Sequence, residues 1–125
     1  MARVLLVDDD ALGLEIRKLV LERAGHQVIA VLDPQDARTR CRDFAPDSVV
    51  LDLRLPSVTD GLALIRDLRQ GAPHIRMIVL SGWCADLDGR SERGMVDEIL
   101  SKPVAPERLI RAIMPAGGGG LAAGS

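Results

Sequence analysis

Five short apolar runs, separated by segments of helical period, constrain this chain more than any other feature. They are Val4 to Val7, Val28 to Val31, Val49 to Leu51, Met77 to Leu80 and Ile99 to Leu100, rich in Val, Ile and Leu and without polar alternation. A strand with one wet face alternates, so these read as strands covered on both faces. Strands that alternate with helices imply right-handed crossovers and a parallel sheet packed on both sides. The expected fold class is therefore α/β, a doubly wound, five-stranded parallel sheet with helices on both faces.

The intervening segments carry helix signals. In the first, Leu12, Ile16, Leu19 and Arg23 share one face with Val20 and Ala24 beside it, and Gly25 is the stop. The second has Asp33 as N-cap and Pro34 at the first helical position, places Ala37, Cys41 and Phe44 on one face, and breaks at Pro46. The third opens at Asp60 and Gly61, turns Leu64, Ile65 and Leu68 inward and ends near Gly71. A fourth, from Ala85 to Gly94, has a thin apolar face and two glycines, Gly89 and Gly94, each costing about 1 kcal/mol inside a helix, so it is expected to be short or mobile. The last runs from about Pro106 to Met114, with Leu109, Ile110 and Ile113 toward the sheet. Residues 1–115 make one domain, and the glycine-rich run at 116–125 reads as a flexible tail.

The length of 125 residues suits a single core. No apolar run is long enough for a membrane span, and the three aspartates after Val7 are the wrong continuation for a secretory signal, so a cytoplasmic location is the default expectation. With a net charge of −2 and basic residues scattered among acidic ones, the footprint of a nucleic-acid-binding module is missing. Cys41 and Cys84 have no CxxC spacing and no neighbouring His pair, and read as buried free thiols.

In open parallel sheets the ligand crevice lies beyond the carboxyl ends of the strands. Asp8, Asp9 and Asp10 follow the first strand, Asp52 ends the third, Ser81 and Gly82 follow the fourth, and Lys102 and Pro103 the fifth. Carboxylates crowded at Asp8, Asp9 and Asp52 repel one another unless a cation joins them. A hard divalent ion such as Mg²⁺ takes a few carboxylate oxygens and leaves a place for a phosphoryl oxygen. Lys102 and the Ser81 hydroxyl would attend the remaining phosphoryl oxygens, a set suited to phosphoryl transfer onto a carboxylate.

On these residues, the acidic cluster in Val7-Asp8-Asp9-Asp10, Asp52-Leu53-Arg54-Leu55-Pro56 leading to Asp60-Gly61, Ser81-Gly82 and Lys102-Pro103, the sequence resembles a response-regulator receiver domain from about Arg3 to Met114. The resemblance implies a flavodoxin-like sheet of order 2-1-3-4-5. It implies Asp52 as phosphoacceptor, Asp9 as a direct metal ligand, Asp8 as an acid acting partly through water, the Arg54 backbone carbonyl in the shell of Mg²⁺ or Mn²⁺, and Ser81 and Lys102 as phosphoryl contacts. The implied partners are a sensor histidine kinase or histidine phosphotransfer protein and a target protein, with no direct nucleic-acid or membrane contact and a homodimer as one assembly. Such a domain assists its own phosphorylation and dephosphorylation and is not otherwise an enzyme. Three departures stand out: the loop from Asp52 to Gly61 is one residue longer than the usual family spacing, Ile99 stands where the fifth strand commonly has an aromatic switch residue, and Arg93-Gly94-Met95 replaces an Ala-rich pattern ending in a Gly-Ala turn.

Plainer roles exist for each residue. Asp8, Asp9 and Asp10 suit helix capping, Asp52 suits a turn, and Lys102 and Arg54 suit solvated charges. Their coincidence at four strand ends favours the phosphoacceptor. His26 and His74 follow a turn Gly and a turn Pro and read as surface residues, while Trp83 suits packing and gating of the site mouth equally. Two rivals remain at this stage. One is a metal-dependent phosphatase with an aspartyl-phosphate intermediate, disfavoured because Arg54 stands where its general acid would be. The other is a passive module that keeps the fold without phosphorylation.

Overall fold

The computed structural model describes residues 2–113, apart from the side chains of residues 84 and 85. Its strands are β1 (Arg3–Val7), β2 (Gln27–Val31), β3 (Ser48–Asp52), β4 (Arg76–Ser81) and β5 (Glu98–Ser101). They form one parallel sheet in the order β2-β1-β3-β4-β5. The helices are α1 (Ala11–Arg23), α2 (Pro34–Phe44), α3 (Val58–Gly71) and α4 (Pro106–Ile113). This is the expected doubly wound arrangement. The tail read at 116–125, the domain limit at 115 and Met114 lie outside the described residues.

Side chains that alternate along the central strands feed two cores. Leu5, Val7, Val49, Leu51, Met77 and Val79 pack with Ala37, Cys41, Leu64, Ile65 and Leu68 under α2 and α3. Val4, Leu6, Val50, Ile78 and Leu80 pack with Leu14, Leu21, Leu109, Ala112 and Ile113 under α1 and α4. Both layers are apolar and buried, which explains the absence of polar alternation in the strands. The Cys41 thiol is free and buried in the first layer, and burial pushes its pKa up.

The face of α1 is a correction. Leu14 and Leu21 are its buried residues, whereas Leu12, Ile16 and Leu19 are exposed, Leu12 to 68%. The cause is Arg17, whose guanidinium pairs with buried Asp8 and so must face the sheet's carboxyl end. At about 100° per residue, Leu14 and Leu21 fall on the Arg17 side and Leu12, Ile16 and Leu19 on the other. His26 is the second correction: it is buried, and its Nδ1 accepts the Ala2 backbone N–H at 3.0 Å. Gly25, at φ 96°, turns the chain so that His26 enters beside the start of β1, and burial lowers its pKa. His74 is exposed, as expected.

The longer loop after Asp52 is absorbed into α3, which starts at Val58 rather than Asp60. Ser57 is the N-cap: its hydroxyl accepts the Asp60 N–H at 3.2 Å and donates to the Asp60 carboxylate at 2.7 Å. Gly61 then lies against the backbone of Leu53, where a Cβ would stand 1.7 Å from the Leu53 carbonyl oxygen. No α-helix forms in the fourth connection. It holds two 3-10 turns, Cys84–Leu87 and Ser91–Met95, in keeping with its thin apolar face.

Candidate phosphoacceptor site

At the carboxyl end of the sheet, one carboxylate oxygen from each of Asp8, Asp9 and Asp52 lies within 4.8 Å of the others. Asp8 and Asp52 are buried and Asp9 is exposed, so the cluster has a solvent side. Asp8 is fixed by its own backbone, which donates to Val31, by the Asp10 N–H on its Oδ1 at 2.9 Å, and by Arg17 on its Oδ2. Burial raises the Asp8 pKa and the neighbouring Asp52 charge adds to the rise. The Asp10 amide, Arg17 and Lys102 act in the opposite sense.

Asp52 closes β3, with Oδ1 accepting the Arg54 N–H at 3.0 Å and Oδ2 accepting the Lys102 ammonium. Lys102 is carried there by its backbone N–H on the Ser81 carbonyl at 2.9 Å, which continues the β4–β5 pairing past Ser101. The structure thus brings together Asp8, Asp9, Asp52 and Lys102. An oxygen-only cluster of three carboxylates, paired with Arg17 and Lys102, fits a hard divalent ion.

Ser81 ends β4 beside this group but is engaged by its own turn. Its hydroxyl donates to the Trp83 carbonyl at 2.7 Å and accepts the Trp83 N–H at 3.0 Å. The Trp83 side chain is exposed, to 65%, which removes the packing role left open from the sequence. The Arg54 guanidinium stands against Asp86, Nη2 to Oδ2 at 3.5 Å. Sequence reasoning missed Arg17 and Asp86. Arg17 shares a helical face with Leu14 and Leu21 and could have been found by that spacing, while nothing in the sequence marks Asp86.

The chain matches the response regulator receiver domain family over residues 4–114. Among curated relatives, the virulence transcriptional regulatory protein PhoP of Salmonella typhimurium is 34% identical over 113 residues, which cover 88% of this chain and 49% of that protein. The DNA-binding response regulator MtrA of Mycobacterium leprae is also 34% identical over 113 residues, 89% of this chain and 49% of that one. The chain therefore spans about half the length of these relatives. Among solved structures, a receiver domain from Clostridium thermocellum superposes with a TM-score of 0.81 at 27% identity, covering 90% of this chain and 91% of its own. One from Bermanella marisrubri gives 0.78 at 34%, covering 89% and 93%. With its sheet order, its strand-end acids and these matches in agreement, the chain belongs to the response regulator receiver domain family.

Proposed function

We propose that this chain is the phosphoacceptor switch of a two-component system, with Asp52 taking the phosphoryl group from a phosphohistidine on a sensor kinase or histidine phosphotransfer protein. The observation that carries this is the joining of Asp8, Asp9, Asp52 and Lys102 at one strand end. An Asp52 carboxylate oxygen attacks phosphorus, the phosphorus–nitrogen bond breaks, and the imidazole leaves with a proton. Asp8, Asp9, Asp52 and the Arg54 carbonyl would hold Mg²⁺ or Mn²⁺, which supplies charge neutralisation for the transferring oxygens. Lys102 transfers its contact from the Asp52 carboxylate to a phosphoryl oxygen. The Ser81 hydroxyl exchanges the Trp83 carbonyl for another, which frees the turn after β4 and changes the surface shown to a target protein.

No separate metabolite is turned over, and Arg54, two residues beyond Asp52, offers no carboxyl group as the general acid a phosphatase would need. No helix of the described residues is long and apolar enough to cross a membrane, and a cytoplasmic location goes with this reading. DNA binding and transcriptional regulation belong to the relatives' printed names. The interspersed charges here assign no nucleic-acid contact to this domain.

The test is the intact mass after incubation with Mg²⁺ and phosphoramidate. One phosphoryl adduct on the wild type, absent in Asp52→Asn, is expected. Rapid multiple turnover without an adduct would support a phosphatase, and neither adduct nor turnover a passive module.

A further inference from the structure

Asp86 is the one group among the described residues whose buried side-chain oxygen, Oδ2, has no hydrogen-bond partner. Its side chain is 16% exposed and faces the Arg54 guanidinium at 3.5 Å, a pairing without hydrogen-bond geometry. Arg54 is 62% exposed on its own side, so the partner of this buried charge stands largely in water. An unpaired buried carboxylate is costly, and a loose cation relieves it only in part.

Both ends of this pair are tied to the phosphoacceptor. The Arg54 N–H donates to Asp52 Oδ1. The Asp86 N–H donates to the Trp83 carbonyl at 3.0 Å, the same carbonyl that takes the Ser81 hydroxyl. A phosphoryl group on Asp52 carries about two negative charges where the carboxylate carried one, and brings three strong acceptors to a site that already holds the Arg54 backbone. A forked guanidinium makes far better charge-assisted bonds with such a group than with Asp86 at its present distance.

Resting on the phosphoacceptor reading, we infer that Arg54 is shared between two anions, the Asp86 carboxylate in the resting domain and the phosphoryl group once Asp52 is loaded. Asp86 is then a positioning residue. It competes for Arg54, lowers the affinity of the loaded state, and keeps a buried Oδ2 with no partner when Arg54 departs. That loss loosens the first 3-10 turn at the moment Ser81 releases Trp83, so the two events act on one segment.

The experiment is titration of the full chain with beryllofluoride and Mg²⁺, a stable mimic of the phosphoryl group, followed by calorimetry. Asp86→Asn frees Arg54 with little change of shape, and should bind beryllofluoride about three- to tenfold more tightly than wild type. Arg54→Met should bind more weakly, and adding Asp86→Asn to it should change nothing, because the competitor then has no object. A merely structural Asp86 would give the same shift in both backgrounds, and that result overturns the inference. Equal affinity of wild type and Asp86→Asn also overturns it, while leaving the phosphoacceptor reading intact. A wild type that binds no beryllofluoride overturns both.

Discussion

The two sides of the carboxyl end are built differently. Around β1 and β3, buried Asp8 follows one central strand and buried Asp52 ends the other, and each carboxylate has both a backbone amide and a cation. The connection over residues 82–97 has only 3-10 turns, an exposed Trp83 and the loosely held Asp86. It is tied down by α3: Arg69 donates to the Met95 carbonyl at 2.9 Å and pairs with Asp97 at 3.1 Å, and Arg66 pairs with buried Glu92 at 2.5 Å. Chemistry needs carboxylates fixed in place, while a changing surface needs a segment whose opening costs little. The difference teaches where each job sits.

The largest expected effect breaks the rigid side. In Gly61→Ala the new methyl group would overlap the Leu53 carbonyl, so either α3 or the residue after Asp52 must move. The cost should be roughly 3 kcal/mol or more, read by chemical denaturation. Gly94→Ala, in the second 3-10 turn with open space around its Cβ, should stay within about 0.5 kcal/mol of wild type. Equal losses at the two glycines would remove the distinction between the two sides.

A metal sharpens it. On the phosphoacceptor reading Mg²⁺ would bind the folded cluster and have no such site in the unfolded chain, so at a hundred times its dissociation constant it should add about 2.7 kcal/mol of stability. Asp9→Ala should lose most of that gain, since Asp9 supplies an oxygen to the cluster and buries nothing else. Hydrogen exchange should slow after β1 and β3 and much less over 82–97. A melting temperature indifferent to Mg²⁺ in the wild type would show that the cluster holds no ion.

The strands and the strand-end acids were legible because a doubly covered parallel strand leaves an apolar run and the chemistry must follow it, whereas the strand order came only with the family resemblance. The inward face of α3 was legible for a related reason: Leu64, Ile65 and Leu68 form its only apolar stripe. In α1 two apolar stripes compete, and the choice between them falls to the Arg17–Asp8 pair, a long-range contact that periodicity cannot see. His26 misled because a His after a turn Gly is usually wet, and the Ala2 amide that satisfies it lies far away in sequence, just before β1. Nothing in the sequence marks Glu92, which is buried and whose carboxyl the half-exposed Arg66 holds below the usual range. The start of α3 lies earlier than Asp60 because Ser57 caps it, a signal present in Ser57-Val58-Thr59-Asp60.

The smallest expected effect on stability is at Trp83, which is exposed and held only through its backbone. Trp83→Ala should therefore shift unfolding by no more than about 0.5 kcal/mol. Its effect should appear in the lifetime of the phosphoryl group instead. On the phosphoacceptor reading, hydrolysis requires water in line with the Asp52 acyl phosphate, and Arg54 and Trp83, two places after Asp52 and Ser81, would flank that approach. Removing the ring opens one flank while Arg54 closes the other, so loss of phosphate should quicken roughly two- to fivefold. Mg²⁺ affinity should hold, because no carboxylate of the cluster is touched. As the only tryptophan in the chain, Trp83 should also change its emission when beryllofluoride draws Ser81 away from its carbonyl. Equal decay rates in wild type and Trp83→Ala, with emission blind to beryllofluoride, would place the ring outside the water's approach and leave Arg54 as the sole flank.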